Sequence, residues 1–386
     1  MSIKPVFVST YPPRECGIAT FTQDLVNAIE KYNDVRHCYV IALSKDKHLY
    51  DNRVLYDINQ DKFSNYVKAA NLINVADIDV VIIEHEYGIF GGEDGDYIVP
   101  FVKLIKKPII TTFHTVLKNP TAKQFEILKK LADASYKVIT MAKTTKEILT
   151  DVYDIEEEKI EIVHHGVPYM DLEDKETLKR KYNLGGKRVI STFGLISPGK
   201  GLEYAIQAMD KVRKEFTDTV YLILGQTHPN IKRLKGEEYR DKLVNLVREL
   251  KLENNVIFVD KYLTKREIME YLRLSDIYLT PYIGREQAVS GTLAYAIGSG
   301  KAIVSTPYTY AQEMLSDGRG MLVEFEDAHS IADAIITLLK DENLRKEIEK
   351  KTLEIGKEMY WHNVAKRMID IFYDVVQLNK KVGVIA

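Results

Sequence analysis

The sequence predicts an α/β protein made of two doubly wound, parallel-sheet (Rossmann-like) domains. Short β-branched runs alternate with longer helical patterns along the chain, as expected for parallel strands joined by crossover helices. With 386 residues, the chain exceeds the size at which a single core usually keeps growing, so two domains are expected. About twelve candidate strands suit two sheets of about six strands each better than one very large sheet.

A charged stretch within residues 168–185 separates the candidate strands into two groups. We therefore expect an N-terminal domain over residues 1–170 and a second domain over residues 171–360. The strands of the first group are Pro5–Thr10, Cys38–Leu43, Asp79–Glu84, Pro108–Phe113, Lys137–Met141 and Lys159–Val163. Those of the second are Arg188–Phe193, Val220–Leu224, Val256–Val259, Asp276–Pro281, Lys301–Ser305 and Gly320–Glu324.

The end of the chain shows helical patterns with no strand after them. Ser330–Lys340 and Asn343–Ile355 come first, and Trp361–Leu378 is long enough to require a packing surface. We expect this C-terminal helix, within residues 361–386, to cross back to the first domain, because such a helix couples two domains.

Composition argues against several classes of partner. The formal net charge of −2 gives no overall cationic field for nucleic acid or for an anionic membrane. No apolar run approaches the roughly 18 residues of a spanning helix, so no integral membrane segment is expected. The N-terminus also lacks the apolar region of a signal peptide. Cys16 and Cys38 allow at most one disulfide, and we expect reduced thiols in a cytoplasmic protein.

Candidate ligand contacts follow the carboxyl ends of the predicted strands, where open α/β sheets bind ligands. In the first half, Gly17 precedes a predicted helix and Arg14 is close to it, which suits a loop that approaches phosphate or sugar. The loop lacks the G-x-G-x-x-G pattern, so it does not indicate NAD binding. His114 ends the fourth strand, where a catalytic role and a packing role are both open.

Acidic residues surround the end of the third strand of this half. Glu84, His85 and Glu86 are candidates for binding a hydroxyl-rich acceptor, whereas Glu93–Asp96 is interpreted as a solvated turn. No metal site is expected, because no cluster has suitable ligand spacing. His164 and His165, for example, are adjacent on a strand and point to opposite faces, so we interpret them as packing residues.

The second half contains two candidate phosphate contacts. Gly194 allows close backbone approach after a strand, and Lys200 supplies a cation just before a helix. Ser290, Gly291 and Thr292 open a small-residue helix whose free N–H groups and dipole would attract an anion. Two such contacts in one domain could hold a diphosphate.

These motifs together resemble the retaining glycosyltransferases of family 4, which have the GT-B fold. The matching segments come in the family's order and span nearly the whole chain. They are the Gly17 loop, His114, V-H-H-G-V-P (163–168), F-G-L-I-S-P-G-K-G-L-E (193–203), residues 276–307 and Tyr360-Trp361 before the final helix.

The resemblance implies transfer of a sugar from an activated, usually nucleotide-linked donor, with retention and without a metal or other cofactor. The donor would bind mainly in the second domain and a carbohydrate-like acceptor mainly in the first. Gly17 then belongs to the family's glycine loop, His114 is its active-site histidine, and Lys200 meets the donor phosphates. Arg14 or Arg285 could assist at the phosphate.

The chain departs from the family in its glutamate signature. The two positions expected to be glutamate are Gln287 and Tyr295, and Leu195 replaces a common arginine. Gln287, or Glu286 one position earlier, would contact the transferred sugar. Tyr295 could stack on a ring or give one hydrogen bond, but it cannot accept two hydrogen bonds from ribose hydroxyls as a carboxylate does.

Three functions remain open from the sequence. The leading one is a retaining hexosyltransferase that acts on a hydroxyl acceptor. A retaining sugar phosphorylase on the same fold would need no ribose-binding glutamate. A non-catalytic carbohydrate-binding or regulatory protein would explain the missing glutamates, but it would have no need of a diphosphate site.

Overall fold

The computed structural model describes residues 2–385, which divide into two compact units. One unit ends at Gly166 and resumes at Tyr360, and the other runs from Val167 to Met359. In the described part of the chain, no helix is both long enough and apolar enough to cross a membrane. Cys16 and Cys38 are free thiols.

The first unit is a parallel sheet of seven strands in the order β3-β2-β1-β4-β5-β6-β7. Its strands are β1 (Pro5–Ser9), β2 (Tyr39–Ser44), β3 (Val54–Asn59), β4 (Val80–His85), β5 (Ile109–Phe113), β6 (Lys137–Thr140) and β7 (Ile160–Ile162). Its helices are α1 (Gly17–Ile29), α2 (Phe63–Val75), α3 (Ile98–Leu104), α4 (Ala122–Ala134), α5 (Lys143–Asp151) and α15 (Trp361–Ile385).

Apolar runs form the central strands because the helices cover both faces of this sheet. All residues of β1, β4 and β5 are buried. The strand β3 was missed by the sequence analysis. It lies at the sheet edge, and all but one of its residues are only partly buried, so its sequence V-L-Y-D-I-N lacks a continuous apolar run.

The C-terminal helix packs in the first unit, as predicted. It contacts α1 and β4, and the rings of Phe372 and Phe7 lie 6.3 Å apart. At its start, the Trp361 ring lies against Gly166, where an added Cβ would be 2.1 Å from a ring carbon. This contact explains why a glycine occupies position 166.

We expect Gly166→Ala to destabilise the protein by about 1–3 kcal/mol, because the rigid Trp361 ring must move to admit a methyl group. Chemical denaturation would measure the loss. Gly88→Ala is the matched control, since an added Cβ at Gly88 meets no atom within 4 Å. Equal stability of the two variants would contradict the prediction.

The second unit is a parallel sheet of six strands in the order β10-β9-β8-β11-β12-β13. Its strands are β8 (Arg188–Phe193), β9 (Thr219–Leu224), β10 (Val256–Val259), β11 (Ile277–Thr280), β12 (Ala302–Ser305) and β13 (Met321–Leu322). Its helices are α6 (Lys175–Lys181), α7 (Leu202–Glu215), α8 (Pro229–Lys235), α9 (Glu238–Glu249), α10 (Lys265–Leu274), α11 (Gly291–Gly298), α12 (Thr309–Met314), α13 (Ala328–Lys340) and α14 (Glu342–Glu358).

Both sheets are doubly wound, which confirms the predicted fold class. In each sheet the chain reverses its direction of travel at one place, between β1 and β4 in the first and between β8 and β11 in the second. Ligands of open α/β sheets bind beyond the carboxyl ends of such strands. We therefore expect ligand-binding residues in the loops that follow these four strands.

Candidate functional site

In the second unit, the loop after β8 is fixed against the residues that follow β11. Ile283 donates its backbone N–H to the Gly199 carbonyl at 3.2 Å. Gly201 has a φ of +59°, and an added Cβ there would be 2.1 Å from the Pro281 carbonyl oxygen. Glycine is therefore required at position 201, and the turn that carries Lys200 is held next to β11.

Lys200 points onto an aromatic ring. Its Nζ lies 3.8 Å from the centroid of the Tyr282 ring, a cation–π geometry. In residues 2–385, Lys200 forms no ion pair with a carboxylate. Its positive charge is therefore not neutralised by the protein at this position.

The start of α11 lies beside the same tyrosine. Lys200 and this helix start, which the sequence predicts as two phosphate contacts of one domain, are therefore neighbours. The Tyr282 hydroxyl is 2.7 Å from Thr292 Oγ1, which is 3.2 Å from Ser290 Oγ. Ser290 caps α11 by accepting a hydrogen bond from the Leu293 N–H. The N–H groups of the first residues of a helix have no partner within it, so those of Gly291 and Thr292 suit an anion.

Gly194 completes this group of residues. It has a φ of +132°, and an added Cβ would be 3.3 Å from Thr292 Cγ2. The structure thus brings together Gly194, Lys200, Ser290 and Thr292, which the sequence predicted as phosphate contacts.

The other predicted residues of this unit lie on the loop between β11 and α11. Gln287 donates from Nε2 to the Val289 carbonyl at 3.0 Å, and its backbone carbonyl accepts a hydrogen bond from the Tyr310 backbone N–H. Glu286 is exposed, and the Arg285 guanidinium lies 4.2 Å from the centroid of the Phe325 ring. The sugar-binding roles of Gln287 and Glu286 stay predictions.

Tyr295 is more enclosed than the sequence analysis assumed. Its side chain is buried, and its ring lies 6.0 Å from the ring of Phe193 at the end of β8. The ring is therefore largely enclosed by the protein, and its stacking on a donor stays a prediction. A hydrogen bond from Tyr295 to a donor stays a prediction.

In the first unit, His114 is held by a buried carboxylate at the carboxyl ends of β4 and β5. Its Nε2 is 2.8 Å from Glu84 Oε2, and the Glu84 side chain is 0% exposed while that of His114 is 10% exposed. The ring of Phe21 lies edge-on to His114 at 4.9 Å. A carboxylate at Nε2 favours the tautomer that carries its proton there, which leaves Nδ1 as a hydrogen-bond acceptor.

The three acceptor candidates of this unit differ in accessibility. His85 is fully buried among Tyr87, Phe90 and Phe113, and burial lowers its pKa to about 3, with His114 acting in the same direction. His85 therefore does not face a ligand, which corrects its assignment as an acceptor contact.

The two carboxylates beside it have different surroundings. Glu84 is buried and contacts His114, so it is suited to orient the histidine and not to contact an acceptor itself. Glu86 is partly exposed and accepts a hydrogen bond from the Thr115 hydroxyl. Glu86 is thus the acceptor candidate that the structure leaves most accessible.

In the loop after β1, an arginine forms hydrogen bonds within the protein, whereas a glycine has free space around it. Arg14 donates from Nη1 to the Leu43 carbonyl at 3.2 Å and to Gln60 Oε1 at 3.0 Å. An added Cβ at Gly17 would meet no atom within 4 Å. Packing within the protein therefore does not require glycine at position 17, which is consistent with a ligand that approaches closely.

Two neighbours of these sites were missed by the sequence analysis. Tyr282 lies between Lys200 and Thr292, and Phe21 packs on His114 and also on His165 and Trp361. The only available signal was an aromatic residue shortly after a strand in the first case and within a helix in the second. Such aromatics are common in ordinary cores, so the pattern alone could not single them out.

Comparison with known sequences identifies both halves of the chain. Residues 16–169 match the family described as Glycosyltransferase Family 4, and residues 174–354 match that described as Glycosyl transferases group 1. A glycosyltransferase of Methanocaldococcus jannaschii, described as uncharacterized, is 28% identical over 62% of this chain and 58% of its own length. A phosphatidyl-myo-inositol mannosyltransferase of Mycolicibacterium smegmatis is 26% identical over 72% of this chain and 68% of its own.

Solved structures agree on the fold. The Anabaena protein Alr3699/HepE, in complex with UDP and glucose, has a TM-score of 0.77 and 15% identity, over 96% of this chain and 100% of that one. A sucrose-phosphate synthase from Thermosynechococcus elongatus also has a TM-score of 0.77 and 15% identity, over 97% and 100%. These likenesses confirm the predicted GT-B fold. The chain therefore belongs to the GT-B glycosyltransferases of the family 4 type.

Proposed function

We propose that the protein transfers a hexose from a nucleotide-diphosphate sugar to a hydroxyl of a carbohydrate-like acceptor, with retention and without a metal. The bond between the anomeric carbon and the donor phosphate oxygen breaks, and a bond to the acceptor oxygen forms on the same face of the sugar. The acceptor proton passes to the departing phosphate, and no protein nucleophile takes part.

The observation that supports this proposal best is the anion site of the second unit. Negative charge develops on the leaving diphosphate. Lys200, which has no carboxylate partner among the described residues, lies beside the N-terminus of α11. Preorganised cations and N–H donors stabilise such charge more in the transition state than in the bound substrate. Retention and metal independence follow from the family resemblance and remain part of the proposal.

The comparisons suggest substrates to test first. HepE is described with UDP and glucose, and one relative is named a mannosyltransferase that acts on phosphatidyl-myo-inositol. We therefore propose UDP- and GDP-linked glucose and mannose as the first donors and cyclic polyols and sugars as the first acceptors. Mass spectrometry of the products would detect transfer, and the proton coupling at the anomeric carbon would test retention. Equal turnover with and without EDTA would support metal independence.

A sugar phosphorylase is the second candidate. Tyr295 at the position of the ribose-binding glutamate favours it, because inorganic phosphate needs no ribose contact. Formation of a sugar 1-phosphate from a disaccharide and inorganic phosphate, with no reaction of nucleotide sugars, would establish the phosphorylase. Binding of sugars or nucleotides without any turnover would indicate a regulatory protein.

We expect Glu84→Gln to lower kcat about tenfold with a smaller change in KM. The amide cannot hold the Nε2 proton as the buried carboxylate does, so the His114 ring loses its fixed tautomer. The measurement is steady-state kinetics across pH. Glu30→Gln is the matched control, because Glu30 contacts His37 at 3.0 Å elsewhere in the same unit. Equal kinetic effects of both variants would contradict a specific role for Glu84.

A further inference from the structure

We propose that Tyr282 is a positioning residue that holds Lys200 and the start of α11 together as one preorganised anion site. The inference rests on the proposed function, because it concerns the group that would bind the donor phosphates. Tyr282 lies within the segment 276–307, but the sequence singles it out for no role. It is the second residue after β11, on the loop that leads to α11.

The ring of Tyr282 determines where the Lys200 ammonium lies. The Nζ-to-centroid distance of 3.8 Å is well inside the range of about 6 Å in which a cation is attracted to a ring face. A lysine side chain on a surface turn otherwise samples many rotamers, and ordering them on binding costs free energy. The contact with the ring orders the lysine side chain before any ligand binds, so less free energy is lost in ordering it on binding.

The hydroxyl of Tyr282 determines where Thr292 lies. The two hydroxyl oxygens are 2.7 Å apart, and Thr292 Oγ1 also contacts Ser290 Oγ at 3.2 Å. Since Ser290 caps α11, the chain of hydroxyls extends from the tyrosine to the first turn of the helix. One side chain thus contacts both parts of the site.

Tyr282 is itself held rigidly. It is 0% exposed, its ring stacks on Tyr308 at 5.4 Å with an interplanar angle of 18°, and its carbonyl accepts a hydrogen bond from the Thr306 hydroxyl at 2.5 Å. A buried residue with these contacts has little freedom to move. It can therefore fix two neighbours that lie nearer the surface.

An aromatic partner suits this task better than a carboxylate would. A glutamate beside Lys200 would form an ion pair and compete with the phosphates for the ammonium. The face of a tyrosine ring attracts the cation through its quadrupole but carries no net charge. The lysine is thereby oriented while its full positive charge stays available to the ligand.

The test measures the dissociation constants of inorganic pyrophosphate and UDP by calorimetry. We expect Tyr282→Phe, which keeps the ring, to weaken binding about threefold, and Tyr282→Leu, which removes it, about tenfold. In a Lys200→Ala background, the difference between Phe and Leu at position 282 should disappear, because the ring acts only through Lys200. An equal difference in both backgrounds would show a purely structural role and overturn the inference.

Two controls make the result decisive. Tyr221→Phe removes another buried hydroxyl of this unit that contacts a threonine, Thr192, at 2.9 Å, and it should leave binding unchanged. If Tyr282→Leu does not fold, pentafluorophenylalanine compared with phenylalanine at position 282 removes the ring's attraction for cations at nearly constant shape. It should weaken binding in the wild-type background and not in Lys200→Ala.

The outcomes separate this inference from the proposed function. Binding of pyrophosphate and UDP that depends on Lys200 but not on the ring at position 282 would overturn the inference and leave the proposed anion site intact. Failure of the wild-type protein to bind either probe would overturn both.

Discussion

Replacing Lys200 with alanine is expected to lower kcat about a hundredfold while the fold persists. Loss of one preorganised electrostatic contact to a developing charge typically costs this much. Lys200 is only partly buried and lies on a short turn, so its removal leaves no large cavity. Binding of a donor analogue that carries phosphates should weaken as well. Steady-state kinetics and calorimetry would measure both effects.

Lys181→Ala is the matched control for this prediction. Lys181 also lies near an aromatic ring, that of Tyr182 at 5.5 Å, but it forms an ion pair with Glu270 and belongs to α6. Its replacement should leave kcat unchanged. If Lys200→Ala had normal turnover at normal thermal stability, Lys200 would not be part of the site.

Replacing Lys301 with methionine is expected to stabilise the protein at neutral pH. Lys301 is buried beside β12, and its Nζ donates to the Ser275 carbonyl at 3.0 Å. Burial lowers its pKa to about 8, nearby Lys175 and Arg273 act in the same direction, and Glu349 and Asp276 oppose it. Below pH 8 the folded protein therefore keeps an unfavourable buried charge.

The sign of the pH dependence follows from this lowered pKa. In the unfolded chain the amine stays protonated up to about pH 10.5, so the free energy of unfolding should rise between pH 8 and 10.5. A difference of about 2.5 pKa units corresponds to about 3 kcal/mol. Lys301→Met should gain about this amount at pH 7, and the gain should vanish near pH 10.5.

Urea denaturation of both proteins from pH 7 to 10 would test this expectation. Taking the difference between variant and wild type removes the contribution of the other titrating groups. Lys346→Met, at a side chain that is 65% exposed, should change stability little at any pH. A gain from Lys301→Met that stayed constant with pH would show that burial of the charge is not the cause.

The positions of most strands along the chain and the ends at which ligands bind could be predicted because both depend on local patterns. Buried parallel strands are continuous apolar runs, and the sequence therefore places both Lys200 and Ser290 after the carboxyl ends of strands in the second half of the chain. The edge strand β3 was not predicted because most of its residues are only partly buried, so they need not be uniformly apolar.

The contacts that tune the candidate site could not be predicted in this way. Glu84 and His114 are 30 positions apart in the chain, and only the parallel register of β4 and β5 brings them together. The burial of His85 and Tyr295 depends on aromatic rings that come from other elements. A residue's polarity indicates what it could bind, whereas its accessibility is decided by tertiary packing.

The return of α15 to the first unit has a consequence for the order in which the chain can fold during synthesis. The second unit is one uninterrupted stretch, and the Val167 N–H donates to the Met359 carbonyl at 2.8 Å, so its first and last residues meet. The second unit can fold completely once residue 359 has emerged from the ribosome. The first unit is synthesised earlier but lacks a helix that contributes buried residues such as Phe372 and Val375 to its core. Although domains usually finish from the N-terminus onward, here the unit that begins first must finish last, and until then it exposes an apolar surface that chaperones can bind.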